Sequence, residues 1–309
     1  MNSTQAKLGI EQLRLGTAPD SWGVWMAQDD KQVDWPVFLD EAAAAGYVWI
    51  ELGPYGYLPT EPERLREELD QRALKLSGGA VFAGLQHGRD ALAQAIKDCR
   101  QEARLLTALG ARHLILLPEM YSDFWGNMTG PKTLTGEEWA NLTKGSIELG
   151  KMLADEFDVS LVFHPHGDSH VETQAQVERY LEDTDPAFVN LCLDTGHIAY
   201  CGGDNIAIIR RFPERIGYVH LKQVDPAVRK RVEDEGMTFA PACMAGVMTE
   251  PPLGVPEMEP LIAELSALNV PLFTIVEQDM YPCPPDQPLP IATRTRAYLN
   301  GCGLGPRRA

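Results

Sequence analysis

Positive charge is scarce in this 309-residue chain: 27 Lys and Arg stand against 44 Asp and Glu, leaving a formal charge of −17. The densest basic cluster, Arg229-Lys230-Arg231, is flanked by acids, so phosphate backbones and anionic lipid are repelled and nucleic acid is not expected as a partner. Long apolar runs are missing too. No stretch approaches the roughly 18 residues of a membrane span, and the polar Met1–Lys7 has no apolar leader core, so a cytoplasmic protein with no membrane partner is expected. The six cysteines (Cys99, Cys192, Cys201, Cys243, Cys283, Cys302) include no Cys-x-x-Cys pair, which excludes a thiolate zinc cluster of that pattern and reads as reduced thiols. No glycine-rich phosphate turn occurs either. After the first apolar run the chain reads Ala18-Pro19-Asp20-Ser21-Trp22-Gly23-Val24-Trp25, which argues against a doubly wound nucleotide-binding sheet.

What is present is alternation. Eight short apolar, β-branched runs recur: Leu13–Thr17, Val48–Leu52, Ala80–Ala83, His113–Leu117, Val159–His164, Val189–Asp194, Ile216–Leu221 and Leu272–Glu277. Helical periodicity lies between them, over Trp35–Ala45, Pro62–Lys75, Asp90–Leu109, Gly136–Phe157, Val171–Asp183, Asn205–Phe212 and Pro256–Leu268, with Ile291–Leu299 after the last run. Continuous apolar runs suit strands buried on both faces, and eight β/α units predict an α/β fold, a (β/α)8 TIM barrel spanning residues 1–309 as one domain. Met120–Thr135 and Val224–Val255 read as long loops able to cover the barrel mouth, and Gly301–Ala309 as a frayed tail.

A barrel of this type carries its chemistry at the C-terminal ends of its strands. Six of the seven histidines fall there, His113 being the exception. Strand five runs into His164-Pro165-His166, strand six ends in Asp194-Thr195-Gly196-His197, strand seven in His220-Leu221-Lys222 and strand eight in Glu277-Gln278-Asp279. Imidazole and carboxylate donors at four successive strand ends suit a divalent cation, Mn²⁺ or Co²⁺ first, with Zn²⁺, Fe²⁺ or Mg²⁺ as alternatives. Residues i and i+2 of a strand share a face, so Val162, His164 and His166 climb one wall together. This favours His164 as ligand and His166 as substrate contact, although the two could be exchanged.

At these residues the chain resembles the sugar-phosphate isomerase/epimerase superfamily with the xylose isomerase-like barrel, and within it the inosose dehydratase (2-keto-myo-inositol dehydratase) group. The pieces that carry the resemblance are Gly16-Thr17-Ala18-Pro19, Glu51 to Leu58, Phe163-His164-Pro165-His166, Leu193 to His197, Cys201-Gly202-Gly203-Asp204, Val219 to Lys222 and Val276 to Asp279. The resemblance implies a metal held from strands five to eight. Asp194, His220 and Glu277 match the ligands, and His197 and Lys222 match residues that face the substrate. One departure stands out: epimerases of the superfamily place a carboxylate on strand five, where this chain has Val162 and His164. Epimerisation by two opposed glutamates is therefore disfavoured, and one-sided proton abstraction followed by loss of water is favoured.

The expected enzyme is thus a hydro-lyase acting on a small keto-polyol such as inosose in inositol catabolism, with a sugar isomerase, epimerase or ketoglycoside lyase as the alternative. Glu277 is the first candidate base and Lys222 the second; His166, His197 and Lys222 are candidate acids. Trp22, Trp25, Tyr55 and Tyr57 are candidates to pack on a polyol ring, and Glu51 to orient a ligand or a hydroxyl, with Asp20, Glu119 and Glu250 behind them. A DNA-repair endonuclease on the same barrel is opposed by the charge, and homo-oligomerisation is compatible with the family.

Overall fold

The computed structural model describes residues 9–305; the polar Met1–Lys7 and the last four residues of the expected tail lie outside that range. Eight strands form the barrel: β1 (Leu13–Thr17), β2 (Trp49–Glu51), β3 (Lys75–Ala83), β4 (His113–Pro118), β5 (Ser160–Phe163), β6 (Val189–Asp194), β7 (Ile216–Leu221) and, after the short β8 (Gln223–Val224) and β9 (Met248–Thr249), β10 (Leu272–Val276). All eight pair in parallel and close in the order β1-β10-β7-β6-β5-β4-β3-β2. Helices α1 (Trp35–Ala45), α2 (Pro62–Asp70), α3 (Arg89–Ala108), α4 (Gly136–Phe157), α5 (Gln174–Asp183), α6 (Thr195–Tyr200) and α7 (Asn205–Arg211) follow the strands in turn, then α8 (Pro226–Glu235), α9 (Phe239–Met244), α10 (Met258–Ala267) and α11 (Pro288–Gly301). The expected (β/α)8 barrel is the fold observed, and all six cysteines are free.

Local chemistry sets the element ends. Thr135 with Glu138, and Thr173 with Gln176, form capping boxes that start α4 and α5. The latter places the start of α5 three residues later than Val171. β3 begins at Lys75, well before Ala80, because Gly78 and Gly79 interrupt the apolar run in the sequence but pair normally, Gly79 opposite Leu114. The stretch read as one long loop after Val224 holds helices α8 and α9 and the β8–β9 pair. The tail is not wholly frayed, since Leu304 is fully buried.

Inside the barrel, inward side chains stack in layers. The lowest comprises Ile115, Val162, Cys192, Tyr218, Phe273 and Ile275, all buried; the Tyr218 hydroxyl crosses the barrel to donate to Ser77 Oγ at 2.8 Å. This apolar plug seals the bottom, and two residues beyond Val162, Cys192, Tyr218 and Ile275 stand His164, Asp194, His220 and Glu277.

Above the mouth, one side chain ties three loops. Asp168, held at φ +61° after β5, accepts from Ser122 Oγ and from the Phe239 amide, each at 2.6 Å. Its own carbonyl accepts from the Tyr121 amide at 2.7 Å. The loops after β4, β5 and β7 therefore meet on one residue.

His113, the histidine away from the mouth, packs beside Tyr218 and Phe273 at the foot of β4, its Nδ1 buried without a partner. Burial, reinforced by Arg14, lowers its pKa to about 4. The unfolded chain protonates this group near pH 6.5 and the folded one does not, so its contribution to stability is present above pH 6.5 and is lost as pH falls toward 4. Urea unfolding midpoints are expected to fall across that window, at up to ~1.4 kcal/mol per pH unit from this group. His113→Gln should flatten the slope; an unchanged slope would refute the assignment.

Candidate active site

The cavity at the C-terminal mouth, about 270 Å³, is reached by residues from every barrel strand or the loop after it. Its floor brings together His164, Asp194, His220 and Glu277, one donor atom of each lying within 4.8 Å of all the others. All four side chains are buried. Asp194 ends β6 and at the same time caps α6, its Oδ1 accepting from the His197 amide at 2.7 Å. With no loop between strand and helix, its other oxygen, Oδ2, is fixed toward the centre, 3.3 Å from His164 Nε2 and 3.6 Å from His220 Nδ1.

His220 is oriented from behind. Its Nε2 lies 2.7 Å from Glu51 Oε1, which as a carboxylate oxygen accepts, so Nε2 donates and Nδ1 turns inward; burial alone would lower its pKa, but Cys192, Glu277 and Glu51 raise it well above the usual histidine value. That Nδ1 is 2.9 Å from Glu277 Oε2 yet has no aligned hydrogen-bond donor or acceptor, and the buried Nδ1 of His164 has no partner either. Two imidazoles and two carboxylates converging on one buried point are a set that a bound cation would neutralise. The donor set of two imidazoles and two carboxylates suits a first-row divalent ion.

Lys222 lies across the same centre. Its Nζ is 3.2 Å from Asp194 Oδ2 and 2.9 Å from both Glu277 Oε2 and Asp279 Oδ2, with the side chain 1% exposed. Burial alone would lower its pKa, but Asp194, Asp279 and Glu277 together raise it well above the usual lysine value, so it stays an ammonium. Glu277 is the converse: burial pushes it up, and His220 and Lys222 pull it well below the ordinary carboxylate range. Burial, then Glu277 and Asp279, push the pKa of Asp20, at the mouth after β1, well above the usual carboxylate value.

The two remaining histidines have defined tautomers. His197 Nδ1 accepts from the Gly167 amide at 3.0 Å, which puts its proton on Nε2. His166 Nδ1 lies 2.7 Å from the Gly167 carbonyl, which can only accept, so Nδ1 carries the proton and Nε2 is bare. Burial, then the neighbouring His164, lowers the His166 pKa to about 3, and His197 is likewise driven well below its usual value by burial and by His166. Both are neutral at pH 7.

Not every candidate reaches the cavity. Trp22 is fully buried, donates its indole N–H to Glu41 Oε2 at 2.7 Å and packs edge-on against Phe38. It is a core residue between the first βα turn and α1. Tyr55 packs against the main core and does not line the cavity, and the Tyr57 hydroxyl donates to the Val33 carbonyl. Glu119 pairs with His87, and Glu250 with Arg294, both away from the mouth. Trp25, Glu51, His166 and His197 do line it. Two contributors were not picked out among the site residues: Asp279, which the i+2 spacing from Glu277 places on the same face, and Phe239, which only the folding of α9 brings in.

Asp194 separates cation binding from folding. Asn caps a helix as well as Asp does, so Asp194→Asn is expected to keep the thermal midpoint near that of the parent but to lose bound divalent metal on elemental analysis. Asp194→Ala should lose the metal and about 1 kcal/mol of helix capping as well. Retention of stoichiometric metal by both variants would show that this cluster is not a metal centre.

A family model described as xylose isomerase-like TIM barrel matches residues 39–296. The chain is 30% identical to inosose dehydratase of Geobacillus thermodenitrificans over 304 residues, covering 94% of this chain and 98% of that one. It is 31% identical to inosose dehydratase of Geobacillus kaustophilus over 287 residues, covering 88% and 89%. Among solved structures it superposes on the probable 3-DHS dehydratase AsbF of Bacillus anthracis with a TM-score of 0.71 at 15% identity, covering 93% of this chain and 98% of that one. The IOLI protein with a bound zinc atom gives a TM-score of 0.71 at 14% identity, with 93% and 97% covered. These two structures share the fold. With the relatives matched across nearly their whole length, the chain belongs to the xylose isomerase-like TIM barrel family and is an enzyme of its hydro-lyase branch, alongside the inosose dehydratases.

Proposed function

We propose that this enzyme removes water from a keto-polyol of the inosose type, giving a 1,2-dione, with a divalent cation held by His164, Asp194, His220 and Glu277. The observation that carries the reading is the convergence of those four donors beside a buried ammonium, in a chain aligned end to end with inosose dehydratases. A cation in that position supplies Lewis acidity toward the substrate carbonyl.

In this reading the chain's own groups move the protons. An α-hydroxyketone loses the C–H proton next to its carbonyl, the hydroxyl on the following carbon departs with a proton as water, and the resulting enol tautomerises to the dione. His166 takes the first proton: it is neutral, it lines the cavity, and the Gly167 carbonyl fixes its tautomer with Nε2 bare. Glu277, the first candidate base from the sequence, suits this role less well because its carboxylate is turned to the common point with His164, Asp194 and His220 and pairs with Lys222. Lys222 protonates the departing hydroxyl, its ammonium kept charged by three carboxylates. Asp20 lines the cavity and, with its pKa raised, is placed to hydrogen-bond a substrate hydroxyl. The strand-five histidine in place of a carboxylate favours elimination over epimerisation.

Metal-replete protein given 2-keto-myo-inositol is expected to produce 1,2-dione absorbance and a product lighter by one water, and to stop when the metal is chelated. In deuterated buffer, His166→Ala should slow α-proton exchange by about 10²-fold or more. Lys222→Met should keep exchange while losing dehydration. Epimerisation of a ketohexose with no water lost from the inosose would overturn the proposal.

A further inference from the structure

The cavity has two unlike halves. Most of the charged groups come from β5, β6, β7 and β10 and the segments after them, with Asp20 after β1 and Glu51 on β2 beside them. In the closed order, β4 stands opposite β10, and β3 opposite β7. The inward positions of β3 are Ala80 and Phe82, and those of β4 are Ile115 and Leu117; the loop after β4 adds Met120 and Phe124, together with Ser122, whose hydroxyl is tied to Asp168, and Asp123, whose carboxylate accepts from the Trp125 and Asn127 amides. No charged side chain of β3 or β4 faces this space. The ionisable residues just after these strands, His87 and Glu119, pair with each other, with side chains 59% and 49% exposed. Phe82, although it lines the cavity, is 57% exposed, so its ring offers apolar surface to whatever enters.

A cyclitol with a free hydroxyl on every ring carbon but the ketone leaves that apolar wall unused. With its ketone at Lys222 and Glu277, its far edge meets mainly aliphatic and aromatic carbon, since Ser122 and Asp123 already have partners in their own loops, and hydroxyls pressed there give up water hydrogen bonds without full replacement. Aromatic rings alone could serve the C–H face of a sugar, but Leu117, Ile115 and Met120 are not such platforms.

We infer that the substrate is a keto-polyol carrying an apolar substituent, such as an ether-linked alkyl group, on the ring edge opposite its ketone. This rests on the charged half being the carbonyl end, as in the proposed dehydration. Calorimetric titration of the metal-loaded protein with myo-inositol and with its ether methylated opposite the axial hydroxyl tests it, since neither ligand has a ketone to react. The ether should bind about 4-fold more tightly, the equivalent of ~0.8 kcal/mol for one buried methyl. Phe82→Ser, at an exposed position, and Leu117→Ser should each bring the ratio toward one. Equal or tighter binding of unmethylated inositol, or a ratio that neither variant changes, would overturn the inference. Turnover of the two corresponding ketones separates the readings. Water loss from both with a binding ratio of one removes the substituent and leaves the dehydratase; a 4-fold ratio without water loss from either does the reverse; neither binding nor water loss overturns both.

Discussion

Carboxylates buried side by side repel one another unless positive charge is brought to them, and this molecule buries Glu51, Asp194, Glu277 and Asp279 around one centre, each at most 8% exposed. The arrangement of the mouth follows from that constraint. Lys222 lies down across three of them, and His220 stands between Glu51 and Glu277. Gly196 is required opposite, because a Cβ there would strike the Lys222 side chain. Two of the neutralising groups, His220 and Lys222, sit two residues apart on one wall, so a single strand, β7, delivers the countercharge that β2, β6 and β10 require.

The layering below makes this affordable in electrostatic terms. The apolar plug of Ile115, Val162, Tyr218 and Phe273 keeps water from the underside of the polar ring, which strengthens each charge pairing above it. Hydrogen bonds also fix the direction of each donor: Asp194 by its helix cap, His220 by Glu51, His197 and His166 by the two ends of Gly167. A site held this way needs little reorganisation when charge develops on a substrate.

The barrel and its polar strand ends were legible in the sequence because each rests on a local signal. Apolar runs mark the strands, and a polar residue ending such a run has nowhere to point but the mouth. The residues harder to read depend on tertiary placement. Trp22 and Trp25 look alike in sequence, three residues apart after β1; one faces α1 and the other the cavity, and the chain's turn at Gly23, in the left-handed region, is what separates them. Helix α8 was hidden because it buries only Val232, leaving almost no apolar period, although Asp225 and Pro226 at its start and Gly236 at its end are ordinary boundary signals. The start of β3 was hidden by Gly78 and Gly79, whose missing side chains make room for Tyr218 and Glu102.

The knot at Asp168 bears on traffic into the cavity. Because the loops after β4, β5 and β7 are fastened to one carboxylate and its backbone, none of them can lift without breaking bonds to the others, and that arc of the rim behaves as a fixed wall. The arc from the loop after β1 to the end of β3 has no such knot, although Trp25 packs against Phe124 and Tyr281, and Met26 and Phe82 stand exposed along it. A ligand therefore arrives over carbon before it meets charge, and sheds its water on the way to the polar floor.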